Sequence, residues 1–174
     1  MAATPPAAAA AAGGAHHSVF VYGSLMAEEV VTAILKRVPA SSPALLTNYH
    51  RFNVKDRIYP AILPVENKKV AGKVMMGISD AELIVLDAFE DFEYVRRRVQ
   101  ISLTDTSEIM HADTYVWSDA EDPDLYGEWD FEVIVSHFLL WPIDASVILS
   151  VPHFLILGMN TFIVFQVKLQ LNHF

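Results

Sequence analysis

The 174-residue chain has no cysteine. That absence removes disulfide staples, thiol nucleophiles and cysteine-based metal sites. Basic residues are also scarce, with 12 Lys and Arg against 21 Asp and Glu. A chain with that balance lacks the positive face that a nucleic-acid backbone demands, so no nucleic-acid partner is expected. The seven histidines are scattered, only His16 and His17 being adjacent, and no metal-ligand spacing emerges. There is no Gly-x-Ser-x-Gly elbow and no workable Ser-His-Asp set. The glycine spacing of a dinucleotide loop or a Walker loop is missing as well.

Charge itself almost vanishes near the C-terminus, where residues 133 to 174 contain one acid, Asp144, and one base, Lys168. The chain therefore reads as three parts. Residues 1–17 form an Ala/Pro/Gly-rich leader that is expected to be disordered. Pro5 and Pro6 stop a helix there, and the leader has neither the basic start nor the apolar core of a secretory signal. Residues 18–132 have ordinary charge and form one domain, long enough for a real core and expected in the cytoplasm. Residues 133–174 form an atypical apolar tail.

Within 18–132, Val19-Phe20-Val21-Tyr22 is a continuous apolar run that predicts a buried strand, ended by the turn signal Gly23-Ser24. Met26 to Lys36 predicts a helix, with Glu28 and Glu29 in the first turn where the helix dipole favours acids. Pro39 to Pro43 reads as a loop and Ala44 to Val54 as a strand. Tyr59 to Pro64 is extended, because each proline restrains its predecessor, and Val70 to Ile78 is a separate strand in which Gly72 and Gly77 mark bulges or weak points. Ser79-Asp80-Ala81-Glu82 fits a capping box and opens a helix ending near Phe89 or Glu90. Val95 to Leu103 alternates like a half-buried strand, Ala112 to Trp117 is another, and Ser118 to Gly127 is an acidic, turn-rich loop. Many short strands with two helices predict a mixed α+β domain, a small mixed-sheet β-barrel with flanking helices.

Two places could carry chemistry. A strand feeding a helix through Tyr22-Gly23-Ser24-Leu25 leaves amides pointing outward with the helix dipole behind them, which suits a carboxylate. Asp87 and Glu90 share a helix face beside apolar Leu86 and Phe89, and like charges against an apolar wall make a usable base near neutral pH. By composition alone, each has a plainer reading: an ordinary turn, and a solvated acidic helix end paired with Arg96, Arg97 and Arg98.

Taken together, the two signals acquire an order. Val19 to Met26 (VFVYGSLM) resembles the opening strand and loop of gamma-glutamylcyclotransferase-like proteins, and Leu86-Asp87-Ala88-Phe89-Glu90 with Tyr94, Arg96 and Val99 resembles that family's acid motif. Arg57 to Pro64, Gly72-Lys73-Val74, Tyr115-Val116-Trp117 and Tyr126 to Phe131 add to the likeness, which is greatest for the plant avirulence-induced-gene-like subgroup. The resemblance implies an acyltransferase that cyclises a small gamma-glutamyl compound to 5-oxoproline and releases an amine or amino acid. It implies Glu90 as the acid/base, Tyr22, Gly23, Ser24 and Leu25 as the substrate loop, one cavity between loop and acid, and no metal or cofactor. One departure is Asp91, where many members carry Gly.

Three functions stay open on the sequence: this cyclotransferase, a non-catalytic small-molecule-binding or stress and defence signalling module of the same fold, and a tail-anchored membrane protein. Residues 145 to 167 carry no Asp, Glu, Lys or Arg and are long enough for a bilayer, but Pro152, His153, Asn160 and Gln166 count against a span. A tail rich in Val, whose codons begin like an intron, reads better as translated intron or a mis-predicted exon than as a family element.

Overall fold

The computed structural model describes residues 16–57 and 59–130. The leader at 1–15 and the tail at 131–174, with the intron and membrane-span expectations attached to it, lie outside the described residues.

The chain runs β1 (His16–Val21), a 3-10 turn (Ser24–Met26), α1 (Glu28–Leu35), β2 (Ser41–Val54), β3 (Pro60–Ser79), α2 (Asp80–Glu90), β4 (Tyr94–Leu103), β5 (Ile109–Trp117) and β6 (Leu125–Tyr126). The sheet order is β3-β1-β5-β4-β2-β6, and β2 also pairs with β3. Five strands therefore close into a ring with β6 appended to the end of β2. Every pairing is antiparallel except β1 with β5. Closure leaves the long strands without open edges. The α+β class expected from the sequence is the class observed.

β1 shows why its apolar run is unbroken. Phe20 and Tyr22 point into the cluster inside the ring, with Leu46, Ile62, Val74 and Ile101. Val19 and Val21 point the other way, into a second cluster with Val31 and Leu35 of α1 and Leu83 and Leu86 of α2. A strand buried on both faces needs apolar residues at every position, not every second one.

Three local readings change. The two strand candidates at Tyr59–Pro64 and Val70–Ile78 are one strand, β3, and the expected loop at Pro39–Pro43 already enters β2 at Ser41. Prolines are tolerated in β3 because Pro60 is its first residue and Pro64 borders an irregularity, where Thr47 pairs with Lys69 but Tyr49 with Pro64. Gly77 (φ +68) sits where the β1–β3 register shifts between His17 and Val19, so it marks a bulge as expected. Gly72 is a close approach instead, since a Cβ there would lie 2.2 Å from the Val21 carbonyl oxygen. The first helix is also divided: Ala27 is extended (ψ 127), and α1 begins only at Glu28.

α2 starts as its sequence predicts. The Ser79 hydroxyl accepts from the Glu82 N–H while the Glu82 carboxylate accepts from the Ser79 N–H, a complete capping box.

Candidate functional site

The loop Tyr22-Gly23-Ser24-Leu25 leaves the end of β1. The Tyr22 hydroxyl donates to the buried carbonyl of Tyr115, which ties the loop to β5. Gly23 lies against Pro60, and a Cβ would stand 2.8 Å from two atoms of the proline ring, so the position demands glycine. Leu25 is 3% exposed and anchors the loop in the core beneath the helices. The N–H groups of Met26 and Ala27 donate to the carbonyls of Gly23 and Ser24. The first amides of such a turn have no partner within it. They belong to a single 3-10 turn, and the α1 terminus starts beyond Ala27. The expected α-helix dipole directly behind the loop is therefore displaced, because Ala27 interrupts the helix.

Glu90 is the last residue of α2 and is half-buried. Burial pushes the Tyr22 phenol well above its ordinary pKa, and the charge of Glu90 pushes it further. Burial acts likewise on Tyr94 and Tyr115, with the Glu90 charge adding to each. One carboxylate thus acts on three phenols, from the end of β1, the start of β4 and the middle of β5, all held in their neutral form. The phenolic protons already have acceptors: Tyr94 donates to the Pro60 carbonyl at 2.8 Å and Tyr115 to Asp87 Oδ1 at 2.8 Å. Arg96 lies 3.4 Å from the other oxygen of Asp87. The pairing of the arginine run with the acids is real for Asp87. Arg98 reaches Asp113 instead, at 3.7 Å.

The third neighbouring acid is a structural one. Glu93 accepts the Tyr59 hydroxyl at 2.9 Å and lies 3.5 Å from Arg57, whose guanidinium stacks 5.6 Å from the Tyr59 ring. Beside the end of α2 is a cleft of about 390 Å³, lined by Asp87, Asp91, Tyr94, Val95, Arg96 and Tyr115. Its lining takes nothing from Gly23, Ser24 or Leu25. Glu90 is not among its lining residues either, so this cleft is not the expected cavity between loop and acid. The relation between them seen here is the effect of the Glu90 charge on the Tyr22 phenol.

Sequence reasoning missed the supports of the loop. Arg51 of β2 donates to the Tyr22 carbonyl at 2.8 Å and lies 4.9 Å from the Trp129 ring centroid. No motif marks Arg51, since its partner is a backbone oxygen 29 residues away. Pro60 beneath Gly23 is equally silent in the sequence. Tyr22, Tyr94 and Tyr115 belong to the family likeness, but nothing in their spacing marks them as phenols that feel the Glu90 charge.

A family model described as gamma-glutamyl cyclotransferase, AIG2-like, matches residues 19–131. AIG2-like protein D of Arabidopsis thaliana is 58% identical over 117 residues, covering 67% of this chain and 77% of that protein. AIG2-like protein C of the same plant is 56% identical over 116 residues, 67% of each chain. A solution structure of an Arabidopsis thaliana protein, 44% identical, superposes with a TM-score of 0.62 over 71% of this chain and 83% of its own. A structure described as a gamma-glutamyl cyclotransferase, 16% identical, superposes with a TM-score of 0.53 over 60% of this chain and 68% of that one, a likeness of fold alone. With the strand, loop and acid in the family's order on the family's fold, the chain belongs to the gamma-glutamyl cyclotransferase, AIG2-like family.

Proposed function

We propose that the chain cyclises the gamma-glutamyl group of a small substrate to 5-oxoproline, releasing an amine or amino acid. The observation that carries this reading is the half-buried Glu90 carboxylate at the end of α2, at the acid-motif position of a chain that matches the family model over residues 19–131. Adding to the effect of burial, its charge also raises the pKa of Tyr22, the residue that opens the loop, which supports the acid/base role that family membership calls for.

In this mechanism the Glu90 carboxylate takes a proton from the substrate's α-ammonium. The freed amine attacks the γ-carbonyl carbon of the same molecule, and the ring C–N bond forms. Glu90 returns the proton to the leaving nitrogen as the old C–N bond breaks. The amides of Gly23, Ser24 and Leu25 hold the substrate carboxylate or support charge on the carbonyl oxygen. Asp87 is engaged with Tyr115 and Arg96, and the proton exchange is assigned to Glu90 because it stands at the family's acid position. Folding a flexible glutamyl chain onto itself is chiefly a matter of orientation. A cytoplasmic enzyme fits this reading; among the described residues no helix is long and apolar enough to cross a membrane.

The test is to incubate the chain with glutathione, gamma-glutamyl amino acids and gamma-glutamyl amines and to measure 5-oxoproline. Product from at least one class, lost in Glu90→Gln, supports the reading. Binding of such compounds with no product from any would select the non-catalytic module instead.

A further inference from the structure

We propose that Arg51 is a positioning residue for the substrate loop, acting through the Tyr22–Gly23 peptide. The proposal rests on the reading above, in which the loop amides meet the substrate.

Arg51 lies on β2 opposite Ile62, and its guanidinium passes under the end of β1. Nη1 donates to the Tyr22 carbonyl at 2.8 Å and reaches the Ala71 carbonyl at 3.4 Å. The plane of Trp129, 3% exposed, covers it, with the guanidinium carbon 4.9 Å from the ring centroid. Trp129 is fixed in turn by its own N–H, which donates to the Arg51 carbonyl at 3.0 Å. The segment before it is fastened to β2 as well: His50 Nε2 meets the Gly127 carbonyl at 2.8 Å, and Asn53 Nδ2 donates to the Glu128 carbonyl at 3.0 Å. Asp130 and Glu128 favour the charge against its burial.

A half-buried guanidinium is an expensive filler, and an aliphatic side chain would seal the same space without the desolvation penalty. What the charge does here is specific. The Tyr22 carbonyl and the Gly23 N–H are the two ends of one peptide group. A cation on the oxygen draws electron density from the nitrogen and makes the N–H a stronger donor. The same contact sets the plane of the peptide, and so the direction of the Gly23 N–H. Gly23 has no side chain to fix that plane and packs its bare Cα against Pro60. Arg51 therefore aims and strengthens the first amide of the loop without touching substrate, and the strap at 125–130 holds Arg51 in place.

The experiment combines amide NMR and kinetics on the full chain with Arg51→Met and Arg51→Lys. In Arg51→Met the Gly23 amide nitrogen should move upfield, by more than any amide of α1. KM for the gamma-glutamyl substrate should rise on the order of tenfold, the worth of one charge-assisted hydrogen bond, with kcat nearly unchanged. Arg51→Lys keeps the charge but not the planar fork, so it should recover part of both effects. If Arg51→Met does not fold, Arg51→Lys decides alone: a displaced Gly23 signal with a raised KM supports the proposal. An unshifted Gly23 signal, or a fall in kcat with KM unchanged, overturns it. The Gly23 signal needs no turnover. A shifted signal in a chain that forms no 5-oxoproline sinks the cyclotransferase reading and leaves the Arg51 contact standing; an active chain with an unshifted signal does the reverse.

Discussion

At the N-terminus of α2, Ser79 and Glu82 exchange hydrogen bonds, and the Glu82 carboxylate also accepts Nε and Nη2 of Arg37. Asp80 and Glu82 lie in the first turn, where the helix dipole favours them. At the other end of the same helix, Asp87 and Glu90 occupy the last turn with no basic residue among them. The dipole opposes acids there, by about 0.3–1 kcal/mol each. The helix then stops at Asp91, whose backbone (φ 64, ψ −166) lies in a region essentially reserved for glycine. The first end satisfies the local rules of helix stability and the second breaks them twice within five residues. Such a concentration of broken rules is what the acid/base role proposed for Glu90 would leave behind.

The comparison is sharpest if the two ends respond to mutation in different currencies. Glu90→Gln keeps size and shape but cannot take a proton, so turnover should fall by on the order of 10² to 10⁴, with little change in substrate binding. Glu93→Gln should lose far less turnover, because Glu93 is committed to Tyr59 and Arg57. Thermal melting should also show a small destabilisation from the weakened contacts. Steady-state 5-oxoproline formation separates the pair. An essential Glu93 beside a dispensable Glu90 would shift the acid/base by three residues and undo the assignment.

Ser79→Ala attacks the other end. Loss of the cap should lower stability by about 1 kcal/mol, read as a lower denaturant midpoint at unchanged slope, while turnover stays near that of the parent. Glu82→Ala made on top of it should cost less than its single effect, because both residues belong to one capping box. A turnover loss in Ser79→Ala comparable with that of Glu90→Gln would erase the distinction between the ends.

How much of this was legible in the sequence follows from how far apart the partners lie. The capping box needs only residues 79 and 82, so Ser79-x-x-Glu82 sufficed to place the start of α2. The apolar run at 19–22 was legible because both faces of β1 are buried. The unity of β3 was hidden by Pro60 and Pro64, which look like interruptions until the sheet shows Pro60 as the first residue of the strand and Pro64 beside a register shift. The break at Ala27 was hidden because alanine favours helix, and its extended backbone is set by the turn before it. Glu90 stood out only through the family likeness, since an acidic helix end looks solvated until the fold half-buries it. Arg51 could not be read at all, because a bond to a backbone carbonyl leaves no trace in side-chain spacing.

Asp91→Gly should act in the opposite direction to Ser79→Ala. Relief of a backbone in the glycine region is worth about 1–3 kcal/mol. Against that stand the greater entropy of glycine in the unfolded chain and the loss of the bond from the Phe92 N–H to Asp91 Oδ1 at 2.8 Å. The net expectation is a stabilisation of about 1 kcal/mol or somewhat less, seen as a melting temperature a few degrees higher. A destabilised Asp91→Gly would mean that the carboxylate, not the backbone, governs this end of the helix.

The smallest effect is the dependence on pH of the N-terminal end. Hydrogen bonding from Arg37, with further bonds from Ser79, lowers the Glu82 carboxyl from its ordinary 4.5 to about 2. A carboxyl lowered by folding adds stability that is fully present above its unfolded value and is lost as pH falls through the folded one. The window therefore runs from about pH 4.5 down to about pH 2. Comparing the parent with Glu82→Gln by denaturant titration isolates it: the gap between the two should be constant from pH 7 to about pH 5, then narrow and nearly close by pH 2. Arg37 is substantially exposed, so solvent screening keeps the gap modest, and 0.5 M salt should shrink it further at neutral pH. A gap that stays constant to pH 2 would show that Glu82 works through the neutral geometry of its capping box alone. The contrast between the helix ends would then rest on hydrogen bonding and backbone conformation, without the ion pair to Arg37.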